Sequence, residues 1–126
     1  MAFDPTDRSP PIHTVTTKEE LSDLVTDEEN PIVVVQFSAP WCKLCAPMAD
    51  LVAAAAKHAK ASVAKVNTPD AEDLVESYSV TKLPMVLVWY NGVMQARVDG
   101  FDQEAVRRAI VAASWSVHGL PQHDDF

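Results

Sequence analysis

Cys42 and Cys45 are the only cysteines of the chain, and they share one short run, Phe37-Ser38-Ala39-Pro40-Trp41-Cys42-Lys43-Leu44-Cys45. Thiols at that spacing lie close enough to close a disulfide, and a helix N-terminus beside them favours the thiolate. The run ends an apolar, strand-like stretch and opens a helix-like one. A lone C-x-x-C also fits half a zinc site, so the pair by itself leaves redox chemistry and metal binding both open. His13, His58, His118 and His123 fall on separate elements. None has ligand spacing with the cysteines, which disfavours a four-ligand site within one chain. A metal or cluster held between two chains, each offering two thiolates, stays open.

The totals narrow the setting of that chemistry. A chain of 126 residues is one domain by length and can bury a core without disulfide or metal staples. A formal net charge of −8 argues against nucleic acid, whose binding needs clustered Lys and Arg, and against an anionic membrane surface. Apolar runs such as Ile32 to Val35 and Met85 to Tyr90 are far shorter than the roughly 20 residues of a spanning helix. The N-terminal residues show neither a secretory core nor an Arg-rich presequence. A reducing, cytoplasmic setting is the expectation, since both cysteines sit in the one motif and no structural disulfide framework exists.

Several elements must position the motif. Residues 1–11 read as an irregular arm with three prolines, and Ile12 to Val15 as a short strand. Thr17 and Glu20 form a capping box ahead of a helix to about Thr26. Ile32 to Phe37 is β-branched and apolar without alternation, as in a strand covered on both faces. The spacing of Met48, Leu51, Val52, Ala55 and Ala59 predicts a helix from Cys42 to about Lys60. Pro47 inside it requires a kink or a late start. Ser62 to Asn67 reads as a strand, and Thr68 as N-cap with Pro69 at the first position announces a helix to about Tyr78. Met85 to Tyr90, Asn91-Gly92 and Val93 to Val98 read as a hairpin. Asp102 caps a last helix, and 115–126 reads as a tail. The order β-α-β-α-β-α-β-β-α gives an α/β fold, a central mixed sheet flanked by helices on both faces.

This ordered set resembles the thioredoxin family: an apolar strand, Trp41-Cys42-x-x-Cys45, a helix, Leu83-Pro84, then a hairpin at Asn91-Gly92. The resemblance covers roughly residues 12–114 and implies the thioredoxin fold. It implies a cis bond at Pro84, facing the cysteines, and a partner-binding surface of Trp41, Leu83, Pro84 and Gly100. It also implies thiol–disulfide exchange without a further cofactor or metal, in which Cys42 attacks a partner disulfide and Cys45 resolves the mixed disulfide. Expected partners are disulfide-containing proteins and a reductase or small-thiol donor, with the chain acting as a monomer.

Departures from the family pattern bear on tuning. Lys43-Leu44 replaces the usual Gly-Pro, and a cation beside Cys42 favours its thiolate, making the couple more oxidising. Gln36 stands where the family has a buried acid and cannot act as a base. Lys65 matches the lysine that pairs with that acid and so lacks its usual partner. Ser38 replaces a frequent tryptophan. The alternative reading is a thioredoxin-fold binding or assembly module with weak turnover, bridging a metal or iron–sulfur cluster between two chains.

Overall fold

A computed structural model describes residues 10–118. The element order is β1 (Ile12–Thr14), α1 (Lys18–Val25), β2 (Ile32–Ser38), α2 (Cys45–Ala59), β3 (Ser62–Asn67), a 3-10 turn (Thr68–Asp70), α3 (Glu72–Ser77), β4 (Met85–Tyr90), β5 (Val93–Asp99) and α4 (Gln103–His118). The strands lie in the order β1-β3-β2-β4-β5. β2 runs parallel to β3 and antiparallel to β4, so the mixed sheet expected from the sequence forms with β2 at its centre.

The unbroken apolar run of β2 is what a doubly covered strand needs, because successive side chains point to opposite faces. Val33, Val35 and Phe37 pack with Leu21 and Leu24 of α1 and Leu74 of α3. Ile32 and Val34 pack with Met48 and Val52 of α2 and Val106 and Ile110 of α4. Two cores therefore clamp β2, each fully buried Val, Ile or Phe contributing about 1.5–3 kcal/mol. The strand is a rigid mount for whatever follows Ser38.

Local signals set most element ends. The Thr17 hydroxyl accepts from the Glu20 N–H at 3.1 Å while the Glu20 carboxylate accepts from the Thr17 N–H at 3.2 Å, closing the expected capping box. Asp102 caps α4 by accepting from the Ala105 N–H at 3.0 Å. Asn91 and Gly92 take φ values of 51° and 80°, the positive pair that a two-residue primed turn requires. α2 ends on Lys60 at φ 61°, with the Ala61 N–H reaching back to the Ala56 carbonyl at 2.8 Å. That is a Schellman-type stop with lysine in the usual glycine position.

Three boundaries differ from the sequence reading. α2 begins at Cys45 rather than Cys42. Pro47 thus falls at the third helical position, where an N–H has no partner within the helix to lose; the late start removes the conflict and no kink is needed. Thr68 is not the cap of a continuous helix: Thr68–Asp70 is a separate 3-10 turn preceded by Asn67, and α3 starts at Glu72. α4 continues to His118, past the expected end at 114. Of the expected arm and tail, residues 1–9 and 119–126 lie outside the described residues.

Candidate active site

The end of β2 delivers the dithiol. Phe37 pairs with Met85 at the start of β4 and Ser38 with Asn67 at the end of β3, so these strand termini share one edge of the sheet. The chain then folds into two turns, with the Cys42 N–H donating to the Ala39 carbonyl at 3.0 Å and the Cys45 N–H to the Cys42 carbonyl at 3.4 Å. Cys42 sits in this turn and Cys45 is the first residue of α2. Their sulfurs form a disulfide across a Cα separation of 5.5 Å. Cys42 is partly open to solvent, whereas Cys45 is only 5% exposed. Leu44 precedes α2 without a capping side chain, so the positive end of the helix dipole is directed at the turn and favours a thiolate there.

Behind the disulfide lies Gln36, 3% exposed. Its Nε2 donates to the Cys45 carbonyl at 3.0 Å and to the Ser38 hydroxyl at 3.1 Å. Lys65 is its register partner on β3. Gln36, Ser38, Cys42, Cys45, Lys65 and Asn67 line a groove of about 390 Å³. The side-chain ammonium of Lys65 has no ion-pair partner among the described residues. The departures singled out at Gln36 and Lys65 therefore line one groove, with Gln36 bonded to the resolving cysteine.

In front, Trp41 is 70% exposed and Leu44 48%, with Lys43 also exposed between the cysteines. Trp41 borders a second concavity of about 780 Å³ toward Pro69, Glu72 and Glu76. The Leu83–Pro84 bond is cis. It immediately precedes Met85, so it lies at the sheet edge from which the dithiol turn springs. Pro84 is buried and Leu83 is half-buried against the α1/α3 core, so Leu83 contributes packing as well as a rim. The Gly100 N–H donates to the Pro84 carbonyl at 2.8 Å. Gly100 has φ +90°, a region that side-chain-bearing residues avoid.

Three contributions escaped the sequence reading. Ser38, singled out there only for replacing a tryptophan, is the acceptor that, with Cys45, satisfies Gln36; its position two residues along the same strand face was the available signal. Asn67 lines the groove. Arg97 of β5 pairs with Asp99 at 3.1 Å and donates to the Tyr78 and Ser79 carbonyls, bracing the loop before Leu83. No local pattern announces that contact.

The thioredoxin family model matches residues 12–122. The chain belongs to the thioredoxin family. A thioredoxin of Mycoplasma genitalium is 35% identical over 86 residues, covering 66% of this chain and 80% of that protein. Protein disulfide isomerase-like 1-3 of Arabidopsis thaliana is 30% identical over 118 residues, 88% of this chain but only 20% of that protein. Among the relatives, the chain thus spans a fifth of the isomerase-like protein and 51% of a chloroplastic thioredoxin M5 of rice, Oryza sativa subsp. japonica.

Solved thioredoxins superpose closely. A single-site mutant of the thioredoxin from Halobacterium salinarum gives a TM-score of 0.74 at 25% identity, covering 86% of this chain and 96% of that one. Fasciola hepatica thioredoxin gives 0.71 at 29% identity, covering 80% and 98%. The architecture is the thioredoxin fold. A partly exposed cysteine joined to a buried one before a thioredoxin α2 is the apparatus of a thiol–disulfide oxidoreductase.

Proposed function

We propose that this chain exchanges disulfides with protein substrates, acting as a monomer and drawing electrons from a reductase or a small thiol. The observation that carries the reading is the unequal exposure of the two bonded cysteines, Cys42 partly exposed and Cys45 buried. In the reduced protein the Cys42 thiolate attacks one sulfur of a substrate disulfide. A Cys42–substrate disulfide forms, and the other substrate sulfur leaves as a thiolate and takes up a proton. Cys45 then loses its proton to water and attacks Cys42 Sγ. The Cys42–Cys45 bond forms and the second substrate sulfur departs, so two electrons have passed to the substrate. An incoming donor reverses the sequence on the protein's own disulfide.

Trp41, Leu83, cis-Pro84 and Gly100 frame the face on which an extended substrate segment docks. Lys43 sets the couple toward the oxidising side of the best reductants, because a neighbouring cation stabilises the Cys42 thiolate and hence the dithiol form. A chain whose two cysteines both belong to the site suits a reducing, cytoplasmic setting. The test is insulin reduction with dithiothreitol as donor. Wild-type protein accelerates turbidity and Cys42→Ser does not; wild-type protein without acceleration under any donor overturns the reading.

A further inference from the structure

Gln36 is a long polar side chain in a core, and burying an amide is costly unless its hydrogen bonds are met. Both Nε2 protons are used, one on Ser38 Oγ and one on the Cys45 carbonyl. The second bond joins the end of β2 to the first residue of α2, the residue that carries the resolving sulfur. Among the described residues no other side-chain hydrogen bond reaches residues 40–47. When the disulfide opens, the covalent tie between Cys42 and Cys45 is gone. Cys45 then stays at the sheet end through the packing of α2 on β2 by Met48 and Val52, the backbone turn bonds and the Gln36 amide, of which the amide is the one side-chain hydrogen bond made directly to Cys45.

We propose that Gln36 is a positioning residue for the resolving step: its amide anchors Cys45 within reach of Cys42 in the open state, and leaves the Cys45 proton to water in the groove that Lys65 lines. The proposal rests on the exchange reading above and specifies how its second step is run in this chain. The titratable groups on the groove are Cys42 and Cys45 from the motif and Lys65 from β3; the other lining side chains, including Asn67, do not titrate. A carboxylate at position 36 would accept the thiol proton, but an amide cannot. Lys65, which lines the groove and has no ion-pair partner among the described residues, is then the group that stabilises the Cys45 thiolate before attack. Anchoring and charge stabilisation fall to separate residues.

The experiment measures three things: the equilibrium of the Cys42/Cys45 couple with glutathione, the lifetime of a preformed Cys42–glutathione mixed disulfide from about pH 5 to pH 9, and thermal stability in both redox states. Gln36→Leu, which keeps bulk and loses the donor, is expected to lower the disulfide-forming equilibrium constant three- to tenfold; tenfold corresponds to about 30 mV for a two-electron couple. It lengthens the mixed-disulfide lifetime by a similar factor. Gln36→Asn keeps the amide one methylene short and gives the same direction should Gln36→Leu fold poorly. Gln36→Asp moves the pH midpoint of resolution down. Lys65→Met moves it up, and Lys65→Arg restores it. A Gln36→Leu protein that loses stability equally in both redox states, with an unchanged equilibrium and pH profile, has lost packing alone and overturns the proposal. Wild-type protein whose Cys42/Cys45 couple does not exchange with glutathione in either direction, with no glutathione adduct on Cys42 in Cys45→Ser, instead overturns the exchange reading.

Discussion

Replacing Gly100 by alanine separates the stability of this fold from the service it gives the dithiol. The φ of +90° forces an alanine into a sparsely populated region at a cost of about 1–3 kcal/mol. The smaller entropy of an alanine-bearing unfolded chain returns about 0.4–1 kcal/mol. A Cβ at this position meets only the Lys82 Cδ, at 3.9 Å, an ordinary contact that adds nothing. The net loss is therefore about 1–2 kcal/mol, or a fall in Tm of roughly 5–10 °C. Gly92→Ala supplies the comparison. It has φ +80°, with its nearest contacts at 3.6 Å, and should lose about as much. Gly92 lies beyond Tyr90, the partner of Ile32, whereas Gly100 bonds to Pro84, beside the Phe37–Met85 pair. The two glycines thus flank the seven residues of β5 at its opposite ends, roughly 26 Å apart along the strand.

Relaxing the Gly100–Pro84 bond shifts the loop that frames the face proposed for docking, and a misplacement of that kind is expected to lower kcat/KM roughly 3- to 10-fold; Gly92→Ala is expected to leave it unchanged. Urea melts give the stability terms and insulin reduction at a temperature where both variants are folded gives the rate. Equal stability losses with equal, unchanged kcat/KM would refute the link between Gly100 and the site. No stability loss at Gly100 would refute the strain argument itself.

Two further outcomes follow from local geometry. Hydrogen bonds from the Thr16 N–H, the Thr16 hydroxyl and the Thr17 N–H hold the Glu20 carboxyl below its ordinary value. A depressed folded value means that its stabilisation is present above the unfolded value and lost as pH falls through the folded one. Glu20→Gln should therefore flatten the acid limb of stability between about pH 5 and pH 2, read from urea midpoints across that range. Lys60→Gly should stabilise the protein by about 0.5–1 kcal/mol in chemical denaturation, because glycine adopts the left-handed cap of α2 without the Cβ penalty, partly offset by its greater unfolded freedom.

What the sequence made legible was local or strongly patterned. The capping box at Thr17 and Glu20, the two-residue turn at Asn91-Gly92 and the Asp102 cap each involve residues within three positions of one another, where side-chain chemistry alone dictates the backbone. The double burial of β2 was visible because the absence of alternation has one structural cause. Pro47 signalled a late helix start, but the turn bonds at Ala39 and Cys42 that delay it depend on the chain leaving the sheet, which no period records. At Gln36 the missing acid was plain from the resemblance. Its new occupation, an amide on the Cys45 carbonyl nine positions away, exists only once α2 is docked on β2. Arg97 reaching Tyr78 and Ser79, 19 and 18 positions back, is of the same kind.

The division of labour between the two cysteines is tested by mixing reduced Cys45→Ser protein with a disulfide-bearing substrate such as insulin and mapping the adduct by non-reducing mass spectrometry. The expected result is a stable mixed disulfide on Cys42, released by dithiothreitol, with none formed by Cys42→Ser. Adduct formation through Cys45 in Cys42→Ser, with Cys45→Ser inert, would contradict the assignment of Cys42 as the attacking thiol.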